Sequence, residues 1–235
     1  MISGALIAGV DGCRGGWVVV TELAGAIGAF ITNSFGELLD TLPSNSLIAI
    51  DTPIGLPERS ARLCDAAARK FLKAPRASSV FPAPIRPALG AQSYEAASGI
   101  RREIEGKGIS KQAFAIYSKI CEVDETLRLR SDCRIRVREV HPEVSFAYWN
   151  NGCAMALSKK SAAGAGERER LIDGLWPGVR TELRKMLPRD RVKRDDLNDA
   201  FAALWTARRI AAGRAVVLPN NPARDAFGLP MEIVA

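Results

Sequence analysis

Four aspartates stand where strand ends and a helix start could bring them together. Asp11 closes an apolar run at residues 5–10, and Asp51 closes another at residues 47–50. Asp196 and Asp199 open a helical segment at residues 195–212 and share one face, about a turn apart. Hard oxygen ligands of this kind suit Mg²⁺ or Mn²⁺. Two such ions ~4 Å apart can activate a water and stabilise the leaving oxygen in phosphodiester cleavage. Taken singly, each aspartate has an ordinary role. Asp before Gly and Asp-Thr-Pro are turn chemistry. An acid in the first turn of a helix answers the helix dipole, with Asp195 the expected N-cap and Asp196 in the first turn. It is the combination that makes them candidate metal ligands and catalytic residues.

Other residues could serve the same chemistry. His141 and Glu143 follow a predicted strand, and an imidazole titrates near neutrality, as a general base or leaving-group acid must. A supplementary acid is expected from Glu143 or Glu139. Arg76, Arg86, Lys111, Lys119 and the Lys159–Lys160 pair could neutralise phosphates, although a basic residue on a helix is more often solvated surface. Gly12, Gly15 and Gly16 form a turn whose backbone can approach a phosphate, with Arg14 beside it. There is no GxGxxG fingerprint and no Walker A sequence, which excludes a Rossmann or P-loop reading.

The elements that must position these residues are legible as hydrophobic patterns. Residues 5–10, 17–22 and 26–32 read as three strands joined by glycine turns, hence antiparallel. Ser34 and Glu37 form a capping box opening a helix to about residue 42, and residues 47–50 read as a strand buried on both faces. A helical crossover makes that fourth strand parallel to one of the first three. If its neighbour is the first strand, Asp11 and Asp51 sit ~4.8 Å apart at adjacent carboxyl ends.

Residues 58–130 read as a mainly helical insertion, with helices at 60–72, 94–105 and 110–129 and an irregular proline-rich stretch, SSVFPAPIRP, at 78–87. A fifth strand is expected at 134–140, ended by Pro142. A loop at 158–166, helices at 167–175 and 178–187, the long helix at 195–212 and a short strand at 215–218 follow. The expected whole is one α/β domain over residues 1–235. It has a mixed five-stranded sheet, three antiparallel strands then parallel ones, with helices on both faces and the helical insertion.

Composition narrows the class. The 47% hydrophobic and 25% charged content is that of an ordinary globular protein, and the net charge of +7 favours an acidic or phosphate-bearing partner. Five scattered cysteines without a CxxC pair argue against a disulfide framework, and one histidine rules out a His-rich zinc site. No apolar run approaches the ~18 residues of a membrane span and no basic leader precedes the first strand, so the expected location is cytoplasmic with no membrane partner. Cys13, Cys64 and the four tryptophans, Trp17, Trp149, Trp176 and Trp205, are expected in packing roles. With aromatics at 6%, an extended base-stacking platform is not indicated.

Several words of the sequence resemble a known family. They are GVDGCRGGW (9–17), AIDTPIGLP (49–57), SSVFPAPIRP (78–87), GISKQAFAI (108–116) with SKICEVD (118–124), REVHPEVSF (138–146), DDLNDAFAALWTA (195–207) and the terminal GLPMEIVA. Together they resemble domain of unknown function 429, a family described as predicted RNase H-like nucleases. The Asp-x-x-Asp-Ala of residues 196–200 is similar to the closing motif of RuvC-type resolvases.

The resemblance implies an RNase H-like sheet and metal-binding roles for Asp11, Asp51, Asp196 and Asp199. It also singles out Gln112 and Lys119, within the family-like words, as substrate contacts alongside Gly12, Arg14 and Arg86. The chain departs from resolvases in carrying Asp51 where they prefer a glutamate, and Glu37 is a cap and not a ligand. The expected function is a metal-dependent nuclease or phosphodiesterase acting on nucleic acid or a nucleotide. The alternatives are ATP phosphoryl transfer of the actin-like or sugar-kinase kind, which uses two such domains, and a non-catalytic nucleic-acid- or ligand-binding module. Uncompensated acids around one spot repel, which argues against the last.

Overall fold

A computed structural model describes residues 4–235. Three strands come first, β1 (Ile7–Cys13), β2 (Gly16–Leu23) and β3 (Ala26–Thr32), each antiparallel to the next. Helix α1 (Phe35–Thr41) begins on Ser34 as its N-cap, and the expected return bond from Glu37 goes one residue further back, to Asn33. Ser34 accepts from the Glu37 N–H, and the Glu37 carboxylate accepts from the Asn33 N–H. It crosses to β4 (Leu47–Ile50), which lies parallel to β1 with Val10 opposite Ile50. The sheet order is β3-β2-β1-β4-β5, with β5 (Val137–Glu139) parallel to β4. This is the expected mixed sheet.

Between β4 and β5 the chain is almost wholly helical: α2 (Leu63–Leu72), a 3₁₀ turn (Arg76–Ser79), α3 (Arg86–Leu89), α4 (Tyr94–Glu105), α5 (Lys111–Phe114), α6 (Tyr117–Leu129) and a second 3₁₀ turn (Ser131–Arg136). Part of this segment builds a core of its own around Leu56, Ile85, Ala97, Tyr117 and Ile120. After β5 come α7 (Pro142–Trp149), α8 (Ala162–Leu175), α9 (Val179–Met186) and α10 (Arg194–Ala211). A short antiparallel pair, β6 (Val217–Leu218) with β7 (Ile233–Val234), closes the fold, and Val234 bridges to Val140 beyond β5.

Three sequence expectations are corrected here. The alternating stretch 134–140 is strand only at its end. Its first residues form the 3₁₀ turn, because the Arg136 guanidinium is drawn inward to the carbonyls of Leu39 and Pro43. Pro142 does not merely end a strand. It opens α7, where its missing N–H costs nothing. The segment 110–129 is two helices, broken at Ala115–Ile116.

The strand period sorts the side chains by face. Ala8, Val10, Ile48 and Ile50 pack with α1 and α6 through Phe35, Leu38, Val123 and Leu127. Ile7, Cys13 and Ala49 face the other way, toward α10. Gly9 lies on that second face. A Cβ there would stand 2.1 Å from the Leu204 amide nitrogen and 2.2 Å from the Ala200 carbonyl, so only glycine lets α10 lie against β1. No helix among the described residues is long and apolar enough to cross a membrane.

Candidate active site

Asp11 and Asp51 have the same parity as Gly9 and Ala49, so both point to the α10 side of the sheet. The parallel register continues past Val10–Ile50, and the Asp51 N–H donates to the Val10 carbonyl at 3.0 Å. The two carboxylates therefore leave neighbouring strands side by side. The close approach of α10 at Gly9 places Asp199, one position before Ala200, beside them. Asp199 is 2% exposed and Asp11 9%.

The electrostatics show how tightly these acids are grouped. Burial, and then the charges of Asp51 and Asp199, hold the Asp11 carboxyl well above the ordinary carboxylate range. Burial followed by Asp199 pushes Asp51 up to about 7. One cation answers them: Lys159, in the loop before α8, donates to Asp199 Oδ2 at 2.5 Å. Asp199 and then, less strongly, Asp11 and Asp51 raise the Lys159 pKa above its usual value despite partial burial. The second oxygen, Asp199 Oδ1, is buried without a hydrogen-bond partner among the described residues.

A cavity of 560 Å³ opens over Asp11 and Asp51. Gly12, Arg76, Lys119, Glu139, His141, Glu143, Lys159 and Lys160 also line it, so ten of the sequence-predicted candidates share one enclosure. His141 approaches the Ser79 carbonyl through Nε2 at 3.3 Å. A carbonyl only accepts, so Nε2 carries the proton and Nδ1 is the bare acceptor, buried and unpartnered. Burial lowers the His141 pKa, which keeps the ring neutral. Glu143 has both oxygens engaged by the fully buried Arg168 at 2.6 and 2.7 Å. That pair fixes α7 and leaves Glu143 little capacity as a supplementary ligand. Glu139 is likewise held, by Arg62.

The remaining candidates lie elsewhere. Asp196 does not line the cavity. Its Oδ2 accepts from the Lys193 N–H at 2.8 Å, so it closes the start of α10, whose N-cap is Lys193 in place of the expected Asp195. Asp195 instead pairs with Lys160. Asp196 still contributes its charge to Asp11. Arg86 is spent on Asp124 and Asp225 and lies over the Phe227 ring, away from the cavity. Gln112 is exposed on α5, and Arg14 is exposed in the β1–β2 turn. Lys119 donates to the Gly16 carbonyl and lies 4.2 Å from the Trp17 ring centroid.

Sequence reasoning missed two determinants. One is Gly9, whose signal was a glycine inside a strand. The other is the placement of Lys159 on Asp199, for which a separation of 40 positions left no local signal.

The donor chemistry suits a hard divalent cation, with acidic oxygens grouped in a buried place and one of them unpartnered. As arranged, no group of three or more His, Cys, Asp or Glu side chains among the described residues is set to hold a metal ion. The Lys159 ammonium is the cation on Asp199.

No curated protein and no solved structure matches the chain. A family model described as "Protein of unknown function (DUF429)" matches residues 9–224. The chain belongs to that family.

Proposed function

We propose that this chain hydrolyses a phosphodiester of a nucleic acid or nucleotide, using Mg²⁺ or Mn²⁺ held by Asp11, Asp51 and Asp199 with Asp196 as an outer acid. One observation carries the reading. Three carboxylates from three separate elements converge with Lys159 paired to one of them, and the charge of Asp199 adds to burial in raising the pKa of both Asp11 and Asp51. A fold does not retain such repulsion for stability, and perturbed carboxylates in a cavity mark functional sites. The strand order is also that of the RNase H-like sheet implied by the family-like words of the sequence.

The ion would supply positive charge to polarise the phosphoryl oxygen and to acidify the attacking water. The chain supplies the rest. Asp11 and Asp51 would hold the ion from adjacent strand ends, and Asp199 would do so from α10 with Lys159 displaced from it. Lys159, already in the cavity wall, is then free to pair with a phosphate oxygen. The backbone at Gly12 lets a phosphate approach beside Lys119. His141, neutral and with Nδ1 unpartnered among the described residues, would accept a proton from a water brought to that nitrogen.

Incubation with Mn²⁺ and a panel of single-stranded, duplex, hybrid and dinucleotide substrates tests the proposal. Release of new phosphomonoester ends by the wild type, and none by Asp11→Asn, is the expected result. ATP turnover without any phosphodiester cleavage would replace it with phosphoryl transfer.

A further inference from the structure

The cavity walls above the carboxylates are built by the helical insertion, and their chemistry speaks to what enters. Arg76, Ser78, Ser79, Val80 and Phe81 come from one side, and Ile116 and Lys119 from the α5–α6 junction. Phe81 and Ile116 are 42% and 38% exposed although they line an enclosed cavity beside charged groups. Exposed Phe227 is covered by the guanidinium groups of Arg86 and Arg128. Phe81 has no such cover. Arg76 is little used within the fold: Nη1 reaches the Leu157 carbonyl only at 3.5 Å, and Nε is buried without a partner. The enclosure thus combines an acidic floor, the weakly engaged Arg76 and the Lys119 ammonium on the wall, and an apolar lip containing an aromatic ring.

We infer that the phosphodiester held here is nucleotide-sized and unpaired, its base seated against Phe81 and Ile116 and its phosphate beside Arg76 and Lys119. This rests on the hydrolytic reading above and names its substrate class. Size and shape carry it. A volume of 560 Å³ falls in the range of about 300–1,000 Å³ typical of small-ligand sites. A duplex presents its phosphates on a convex rod and cannot lower one onto carboxylates as recessed as Asp11. An unpaired nucleotide can enter alone, as bases do when enzymes act on them outside the stack. The lip fits the same class, because every base has a face that can lie against an aromatic ring, whatever its sequence. The walls also explain why the insertion is fused between β4 and β5: it encloses what the open end of the sheet would leave exposed.

The test is equilibrium binding to full-length Asp11→Asn of a dinucleotide, a single-stranded oligonucleotide and a duplex, at salt high enough to screen the +7 net charge. It is repeated with Phe81→Ala and Arg76→Ala added, after thermal melts confirm folding. The dinucleotide and the single strand are expected to bind more tightly than the duplex, and Phe81→Ala is expected to weaken the dinucleotide about tenfold. Equal or tighter duplex binding, or no effect of Phe81→Ala, overturns the inference. Manganese-dependent cutting within a duplex by the wild type would overturn it as well and leave the hydrolytic reading standing. Phe81-dependent dinucleotide binding with no cleavage of any substrate would support the subsite and remove the hydrolysis.

Discussion

Two acid clusters meet the same cavity, one through Asp65 and Glu139 and the other through Asp11 and Asp51, and they differ in how fully their oxygens are partnered. In the first, Arg62 sits between Glu139 at the end of β5 and Asp65 in α2. Its Nη2 donates to both carboxylates at 2.7 Å, and Nη1 donates to the second Glu139 oxygen and to the carbonyl of Ile54. The carboxylates also accept the N–H groups of Ile54 and Ala83. Every carboxylate oxygen has a donor, although the two acids share one guanidinium and burial pushes Glu139 up to about 7. In the second, Asp11, Asp51 and Asp199 share one lysine, and an Asp199 oxygen has no partner. The first cluster holds the insertion to the sheet. The second leaves an acid oxygen without a partner among the described residues, which is what the proposed metal site rests on.

Breaking each cluster should therefore have opposite consequences. The largest effect is expected from Arg62→Met, which leaves two buried carboxylates unpaired. A loss of about 3–5 kcal/mol is expected, read as a large fall in thermal midpoint by calorimetry. An Arg62→Met protein as stable as the wild type would erase the distinction between the clusters. Gly9→Ala comes next. Its Cβ would collide with the α10 backbone, at a cost of about 1–3 kcal/mol for overpacking. Melting should show that loss, and metal titration should show weakened binding as Asp199 is moved from Asp11.

Replacing an acid by its amide should do the reverse in the Asp11–Asp51–Asp199 cluster. Asp11→Asn removes the cost of burying an acid beside two others. It should raise the midpoint of the metal-free protein by about 2–4 °C, equivalent to roughly 1 kcal/mol at this chain length, while abolishing cleavage. Destabilisation by Asp11→Asn in circular-dichroism melts would show that this cluster, too, is structural.

The smallest effect is one of pH. Burial and Asp199 raise the Asp51 pKa to about 7. The folded metal-free protein thus holds a proton on Asp51 that the unfolded chain releases near its ordinary value, and stability falls as pH rises through that window. Asp51→Asn, neutral throughout, should gain stability over the wild type between about pH 5 and about pH 8, with the gain growing toward pH 8. A constant offset between the two melting curves would show that Asp51 is ionised across the range.

The sheet was legible because its signals are local. Glycine turns, the Ser34 N-cap and a short apolar run before Asp51 each specify an element within a few residues. Asp11 and Asp51 were legible for the same reason, since a strand end places its last residue. Helix α7 was not, because six of its eight residues are buried and it lacks the one-sided stripe that betrays a surface helix. The role of Arg168 was hidden likewise: its carboxylate partner, Glu143, lies 25 residues away. Arg86 and Gln112 belong to family-like words, but the words do not say which way a side chain points. Arg86 pairs inward with Asp124 and Asp225, and Gln112 faces solvent. Lys159 was read only as a phosphate neutraliser in a loop, since nothing near it in sequence announces Asp199.

The most direct test of the central claim is a crystal structure of the wild type soaked with Mn²⁺, read from anomalous density. The account predicts manganese between Asp11, Asp51 and Asp199, with the Lys159 ammonium displaced from Asp199 toward the cavity. No manganese at these carboxylates, with the Lys159–Asp199 pair still closed, would contradict it.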